Sequence, residues 1–273
     1  MPVAHHCADL RLSALAALRL SDPAQKVRAV QTLWAQRETL PLDTHAVLSD
    51  PDDLPGRPAR PHLVAPNEVP ARPVHTAQGR AALLHAIAHI EFNAINLALD
   101  AVWRFPGLPV DYYLDWLQVA QEEAKHHTLL SEHLASLGHA YGDFNGHDGL
   151  WAMTYQTRND FIARMALVPR TLEARGLDAT PPIQKKLAQA GDHRAVAILE
   201  VILREEVGHV AIGNRWYRHA CEQAGLDPVR HYRTLIAQYT APRLRPPFNL
   251  KARQAAGFSA EELDYLTGTG TGS

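Results

Sequence analysis

The sequence predicts an all-α protein organised around a four-helix bundle, and three observations predict it. Four long stretches carry apolar residues at helical spacing. At 1.5 Å per residue, helices of roughly 25–30 residues are about 40 Å long, which suits a bundle. Helix punctuation falls where the stretches end, at Pro106-Gly107, Gly138 and Gly225. Convincing period-two strand patterns are absent.

Residues 8–36 read as two short helices, the second opened by Asp22-Pro23, because proline suits a first helical turn. The stretch PDDLPGRPARPHLVAPNEVPARPVHT follows, with seven prolines in 51–75, and admits neither regular helix nor central strand. It is either a disordered linker or an extended strap anchored by Leu54, Leu63 and Val64. Over 77–104 the residues Leu83, Leu84, Ile87, Ala88, Ile95 and Leu99 mark the first long helix. A second, over 111–137, opens at Asp111 and closes at Gly138. A third spans about 148–175, where Pro169 predicts a kink or break near its end. A short helix at about 181–190 precedes the fourth long one, at about 192–223. Smaller helices at about 228–239 and 259–266 lead to a TGTGTGS tail expected to be disordered. Three regions result: N-terminal helices and proline-rich strap over 1–75, bundle over 76–225, and C-terminal extension over 226–273.

Composition narrows the function classes. A net charge of −2 over 273 residues gives no global reason for binding nucleic acid or a membrane surface. Two cysteines, Cys7 and Cys221, are too few for a disulfide framework and read as reduced thiols. The N-terminus lacks a basic leader region. The apolar stretch around 81–102 contains His85, His89, Glu91 and Asp100, which argues against a membrane span. A cytoplasmic protein is expected.

The apolar helices carry acids where acids are costly. Glu123-x-x-His126 and Glu206-x-x-His209 each place a carboxylate and an imidazole on one helix face. Glu123 shares its face with Trp116, Val119, Ala120 and Leu130, and Glu206 with Leu199, Ile202, Leu203 and Val210. Glu122, with Gln118, Lys125 and Asp115, forms a solvated face instead. Each pair has a glutamate upstream on the preceding long helix. Glu91 precedes Glu123 by 32 residues and Glu173 precedes Glu206 by 33, whereas Asp160 would break the match at 46. The unit Glu…Glu-x-x-His therefore occurs twice. Four carboxylates balance two divalent ions and can bridge them, and imidazole with carboxylate favours iron or manganese. Buried ion pairs or chance surface groups are the plain alternative, but four uncompensated acids in one core would be very costly.

This pattern is similar to that of the ferritin-like superfamily of di-iron and di-manganese carboxylate proteins. More narrowly, AHIEFNAINLALDAVWRF, EEAKHH, LVPRTLEARGLD and REEVGHVAIGNRWY resemble the family known as domain of unknown function 455. A more distant resemblance is to di-iron hydroxylases of modified tRNA. The similarity is strong over about 76–225. The resemblance implies a ferritin-like four-helix bundle with Glu91, Glu123, His126, Glu173, Glu206 and His209 as ligands of two metal ions, iron or else manganese. Glu173 departs from the superfamily's placement by lying just past Pro169, near a helix end.

The expected function is O₂-dependent oxidation or hydroxylation of a small organic substrate. An external electron donor is needed, since no flavin or iron–sulfur motif is present. Metal storage, a manganese catalase-like activity and tRNA modification are the competing readings. His127 and Glu200 are candidate supporting groups, with surface histidine and structural acid as the plainer reading. The offsets of His85 and His89 point away from Glu91, and Tyr112, Tyr155 and Trp151 read as core. Residues 227–253 carry five arginines, one lysine and one acid, interleaved with Tyr232, Tyr239 and Phe248. That segment is a candidate for binding phosphate or RNA, or else a solvated flank or oligomer contact.

Overall fold

A computed structural model of the chain describes residues 9–70, 72–242 and 244–268. Cys7, Arg243 and the end of the TGTGTGS tail lie outside them. Apart from one isolated parallel bridge between Leu63 and Gly146, the regular secondary structure of the described residues is all helical. The chain divides into two compact units, Met1–Trp151 and Ala152–Ser273.

In the N-terminal unit, α1 (Leu10–Leu18) and α2 (Pro23–Gln36) pack on a hairpin of α3 (Ala77–Arg104) and α4 (Val110–Ser136). Asp22 caps α2 by accepting from the Gln25 amide, with Pro23 in the first turn. Thr76 caps α3 in the same way through Gly79. Arg11 is fully buried. It donates twice to the Trp103 carbonyl, at 3.2 and 2.7 Å, and to the Asp43 and Ala46 carbonyls. It thus covers the Trp103 carbonyl at the end of α3, which the helix cannot pair itself. The apolar window of α3 is long enough to cross a membrane, but 72% of it is buried within the fold. α3 is a core helix.

The described residues of the proline-rich stretch form a strap, and its anchors are not the apolar ones expected. Leu63 is 41% exposed, and neither Leu54 nor Val64 is buried. Backbone polar groups hold it instead. The Gly56 amide donates to the Leu18 carbonyl, Val64 and Gly146 pair at 2.9 Å, and Arg57 grips Asp148 with two hydrogen bonds. Buried Lys26 donates from Nζ to the Leu18 and Gly56 carbonyls and to Asn96 Oδ1. Burial, then Arg57, pulls its pKa down to about 7, but three oxygens around Nζ match the three protons of an ammonium.

The helix expected over 148–175 is broken earlier than Pro169. α5 (Gly149–Gln156) stops, and α6 (Phe161–Leu167) restarts after Asp160, whose side chain accepts from the Ala163 amide. At Pro169 the chain does not end its helix. It widens into a π-helical segment, Val168–Glu173, and runs on as α7 (Ala174–Gln189). The Thr171 hydroxyl donates to the Ala166 carbonyl at 2.7 Å, a side-chain bond within the wider turn. The separate helix expected at 181–190 is the second half of α7, which contains Pro181 and Pro182. Proline at 181 leaves the Leu177 carbonyl without its helical donor, and Asn249 Nδ2 supplies one at 3.2 Å.

α8 (His193–Gln223) is the spine of this unit, packed against α6, the π segment and α7. α9 (Pro228–Gln238), α10 (Leu250–Ala255) and α11 (Ala260–Thr267) follow, with α10 absent from the sequence expectations. Asn249, which caps α10 through the Ala252 amide, was its available signal.

A side chain at Gly213 on α8 would place its Cβ 2.6 Å from Pro169 Cβ, whereas one at Gly208 meets nothing within 4 Å. Gly213→Ala should therefore destabilise the protein by about 1–3 kcal/mol in chemical denaturation. Gly208→Ala should leave it unchanged or stabilise it by up to about 1 kcal/mol through helix propensity. The reverse order would show that Pro169 does not press on α8.

Candidate metal centre

The first triad is built on the α3–α4 hairpin. Glu91 lies mid-way along α3 among buried Leu84, Ala88, Ala94, Ile95 and Ala98. Glu123 and His126 lie one turn apart on α4, on the face that buries Trp116, Val119, Ala120 and Leu130. The structure brings all three together. His126 Nδ1 is 3.2 Å from Glu91 Oε2 and 3.4 Å from Glu123 Oε2. One ligand atom from each lies within 4.8 Å of the others, and all three residues are buried. Glu122, the neighbour read as solvated, is not buried and accepts from Gln118 Nε2.

The electrostatics follow from the dry setting. Desolvation, then repulsion from Glu123, raises the Glu91 pKa to about 8. Burial, the largest influence on His126, works against its charge, but hydrogen bonds and attraction from Glu123 and Glu91 outweigh it and raise the pKa to about 10. Within the triad two acids face one imidazole, so a single imidazolium balances them only while Glu91 keeps its proton, and with both acids ionised it cannot. A divalent cation can, and the donor set of two carboxylate oxygens and an imidazole nitrogen fits one.

The C-terminal unit carries the matching pair. Glu206 and His209 are buried one turn apart on α8, with Nδ1 of His209 3.7 Å from Glu206 Oε2. Glu173 is buried at the last residue of the π segment. Its position just past Pro169 is therefore inside a continuous helical run and not at a helix end. Asp160, the alternative acid, has one oxygen on the Ala163 amide and the other on the Tyr239 hydroxyl, as befits a helix cap.

A family match now bears on this arrangement. Residues 19–264 match the family described as "Protein of unknown function (DUF455)". The chain belongs to the DUF455 family. A relative in Haemophilus influenzae, described as an uncharacterized protein, is 46% identical over 261 residues, covering 92% of this chain and 91% of its own. No solved structure matches.

Around the triad of this DUF455 chain, several side chains differ from expectation. His127 is buried, and its Nδ1 donates to the Ala88 carbonyl at 3.0 Å, tying α4 to α3 next to both Glu91 and His126. Glu200, its companion candidate, is exposed. His89 donates from Nε2 to the His147 carbonyl and accepts from the Tyr141 hydroxyl at Nδ1. Burial lowers His85, His89 and His127 to about 4, so all three are neutral at pH 7. This histidine–tyrosine cluster was missed because Tyr141 lies beyond the helices, where periodicity gives no signal. Tyr112 and Trp151 are core as expected, but Tyr155 is 53% exposed and stacks under Arg158. In the basic C-terminal segment, Arg253 is not a solvated cation. It is 1% exposed and held by Asp178.

The raised Glu91 pKa makes metal-free stability depend on pH. The folded chain holds this proton more tightly than the unfolded chain. The stabilisation is thus complete below about 4.5 and lost as pH rises through about 8. His126, also raised, acts with the same sign at higher pH. Melting temperatures of chelator-treated protein should fall across that window, and Glu91→Gln should flatten the fall. Parallel curves for the two proteins would mean Glu91 is ionised in the fold.

Proposed function

We propose that this chain is a dinuclear-metal oxidoreductase of ferritin-like type, in which Glu91, Glu123, His126, Glu173, Glu206 and His209 hold two ions, iron by preference. The observation that carries the reading is the buried triad of Glu91, Glu123 and His126, whose ligand atoms lie within 4.8 Å of one another. The duplicated Glu…Glu-x-x-His pattern extends it to the second set. When bound, such an ion pair supplies O₂ reduction coupled to oxidation of an organic substrate.

The chain's own residues then have separate tasks. Glu91 and Glu123 provide negative charge in a water-poor space, where it binds a cation far more strongly than on the surface. His126 presents Nδ1 toward both carboxylates, so the metal-facing nitrogen is set by geometry. His127 fixes the register of α4 against α3 through the Ala88 carbonyl, as an outer hydrogen bond orients a ligand. The strap, anchored at Gly56 and Arg57, limits water on its side of the N-terminal unit. Shielding of that kind serves oxidation chemistry more than storage, which needs an open route for iron.

Protein purified without chelators should carry about two ions per chain. Glu123→Ala and Glu206→Ala should each cut that content sharply by elemental analysis, whereas Glu122→Ala should not. Equal loss in all three would show that the helix faces are misassigned. Anaerobically reduced, iron-loaded protein mixed with O₂ should consume O₂ in proportion to the centre and retain its iron. Continued oxidation of added ferrous iron, with dozens of ions kept per chain, would favour storage. Co-purifying manganese with peroxide breakdown would favour a catalase-like enzyme.

A further inference from the structure

The C-terminal unit contains a cavity of about 790 Å³ that neither set of proposed ligands lines. Val229 and Ile236, seven residues apart on one face of α9, form one wall, and Leu244 and Phe248 of the following loop form another. These side chains are only half-buried, and Tyr265 at the margin is 43% exposed. Protein interiors are close-packed, so apolar walls around this much space lack the contacts they would have in a core. The volume falls within the range of about 300–1,000 Å³ typical of small-molecule sites.

The charges in the lining select the ligand. Three arginines, Arg170, Arg245 and Arg253, face one glutamate, Glu262. Arg253 is engaged by Asp178. Arg170 is 1% exposed. Its Nη1 and Nη2 donate to Asn214 and Glu262, but its buried Nε has no hydrogen-bond partner. A buried N–H of a charged group without an acceptor is costly, and an anionic oxygen is the acceptor that removes the cost. Arg245 is exposed and adds a second positive charge.

We propose that this cavity binds a small organic anion, with its aromatic or branched apolar body among Val229, Ile236, Leu244 and Phe248, and its carboxylate or phosphate toward Arg170 and Arg245. The site stands independently of the metal reading.

Calorimetry on the full chain with 4-phenylbutyrate, 3-phenylpropyl phosphate and neutral 4-phenylbutanol tests it. At least one anion should bind, at least about tenfold more tightly than the alcohol. The tighter anion assigns the head group. Arg245→Ala should weaken the anion about tenfold or more and leave the alcohol unchanged. Ile236→Trp should fill the cavity and weaken both, with an unchanged melting curve showing that the fold is intact. If that variant melts early, Arg245→Ala decides alone. Absence of binding by either anion at about millimolar concentration overturns the proposal. So does alcohol binding that equals the acids, or anion affinity unaffected by Arg245→Ala.

Discussion

The N-terminal unit is organised by the cost of keeping Glu91 and Glu123 out of water. An ionised carboxylate in a dry interior is tolerated only with a proton, a cation or several donors near it. Here two acids and His126 converge on one space, and the raised Glu91 and His126 pKa values express the strain of that convergence. The surroundings make the space dry. α1 and α2 cover the hairpin, Arg11 covers the end of α3, and Lys26 fastens the strap to α1 and α3. Each of these two buried cations is met by oxygens. The acids of the triad outnumber its base, and that imbalance is the feature a bound cation corrects.

In the C-terminal unit the corresponding constraint is backbone geometry. Pro169 cannot donate, and its ring needs room, so the helix widens over Val168–Glu173 and Gly213 of α8 lies close against it. The wide turn has two consequences for side chains. It carries Glu173 as a buried residue in a continuous helical run, and it places Arg170 three residues earlier, among the rings of Tyr217, Tyr232 and Phe258. π-helical turns inside α-helices are frequent at functional sites because they redirect side chains without ending the helix.

What the sequence made legible follows from which forces it encodes locally. Periodicity located α3, α4 and α8 to within a residue or two, because each buries an apolar face over many turns. The same periodicity separated Glu123 from Glu122 and placed Glu91 inward. The third stretch resisted the method. Its break before Asp160 depends on a cap, its passage through Pro169 on a hydroxyl at Thr171, and its passage through Pro181 on Asn249, 68 residues away. The strap resisted for a related reason. Proline density excludes helix, but only carbonyls meeting Lys26 and an ion pair with Asp148 decide between order and disorder. Tyr155 was misplaced because α5 is only the eight residues Gly149–Gln156, too short for periodicity to assign its faces, and its ring lies exposed against Arg158.

The histidines sharpen the distinction between structural groups and the proposed metal-binding ones. His85, His89 and His127 are as buried as His126, yet burial drives them neutral, toward about 4, and they are met by backbone or hydroxyl groups. Each does what a buried imidazole does when it serves the fold. His126 responds in the opposite direction, toward about 10, because carboxylates rather than carbonyls face its Nδ1. Burial alone therefore does not mark a ligand. The proposed ligand differs in that two carboxyl groups face one imidazole, a cluster that needs protons or, on the proposed reading, a divalent cation to balance it. Of these four buried histidines in the N-terminal unit, His126 meets that criterion, and it stands one turn from the glutamate that shares its face.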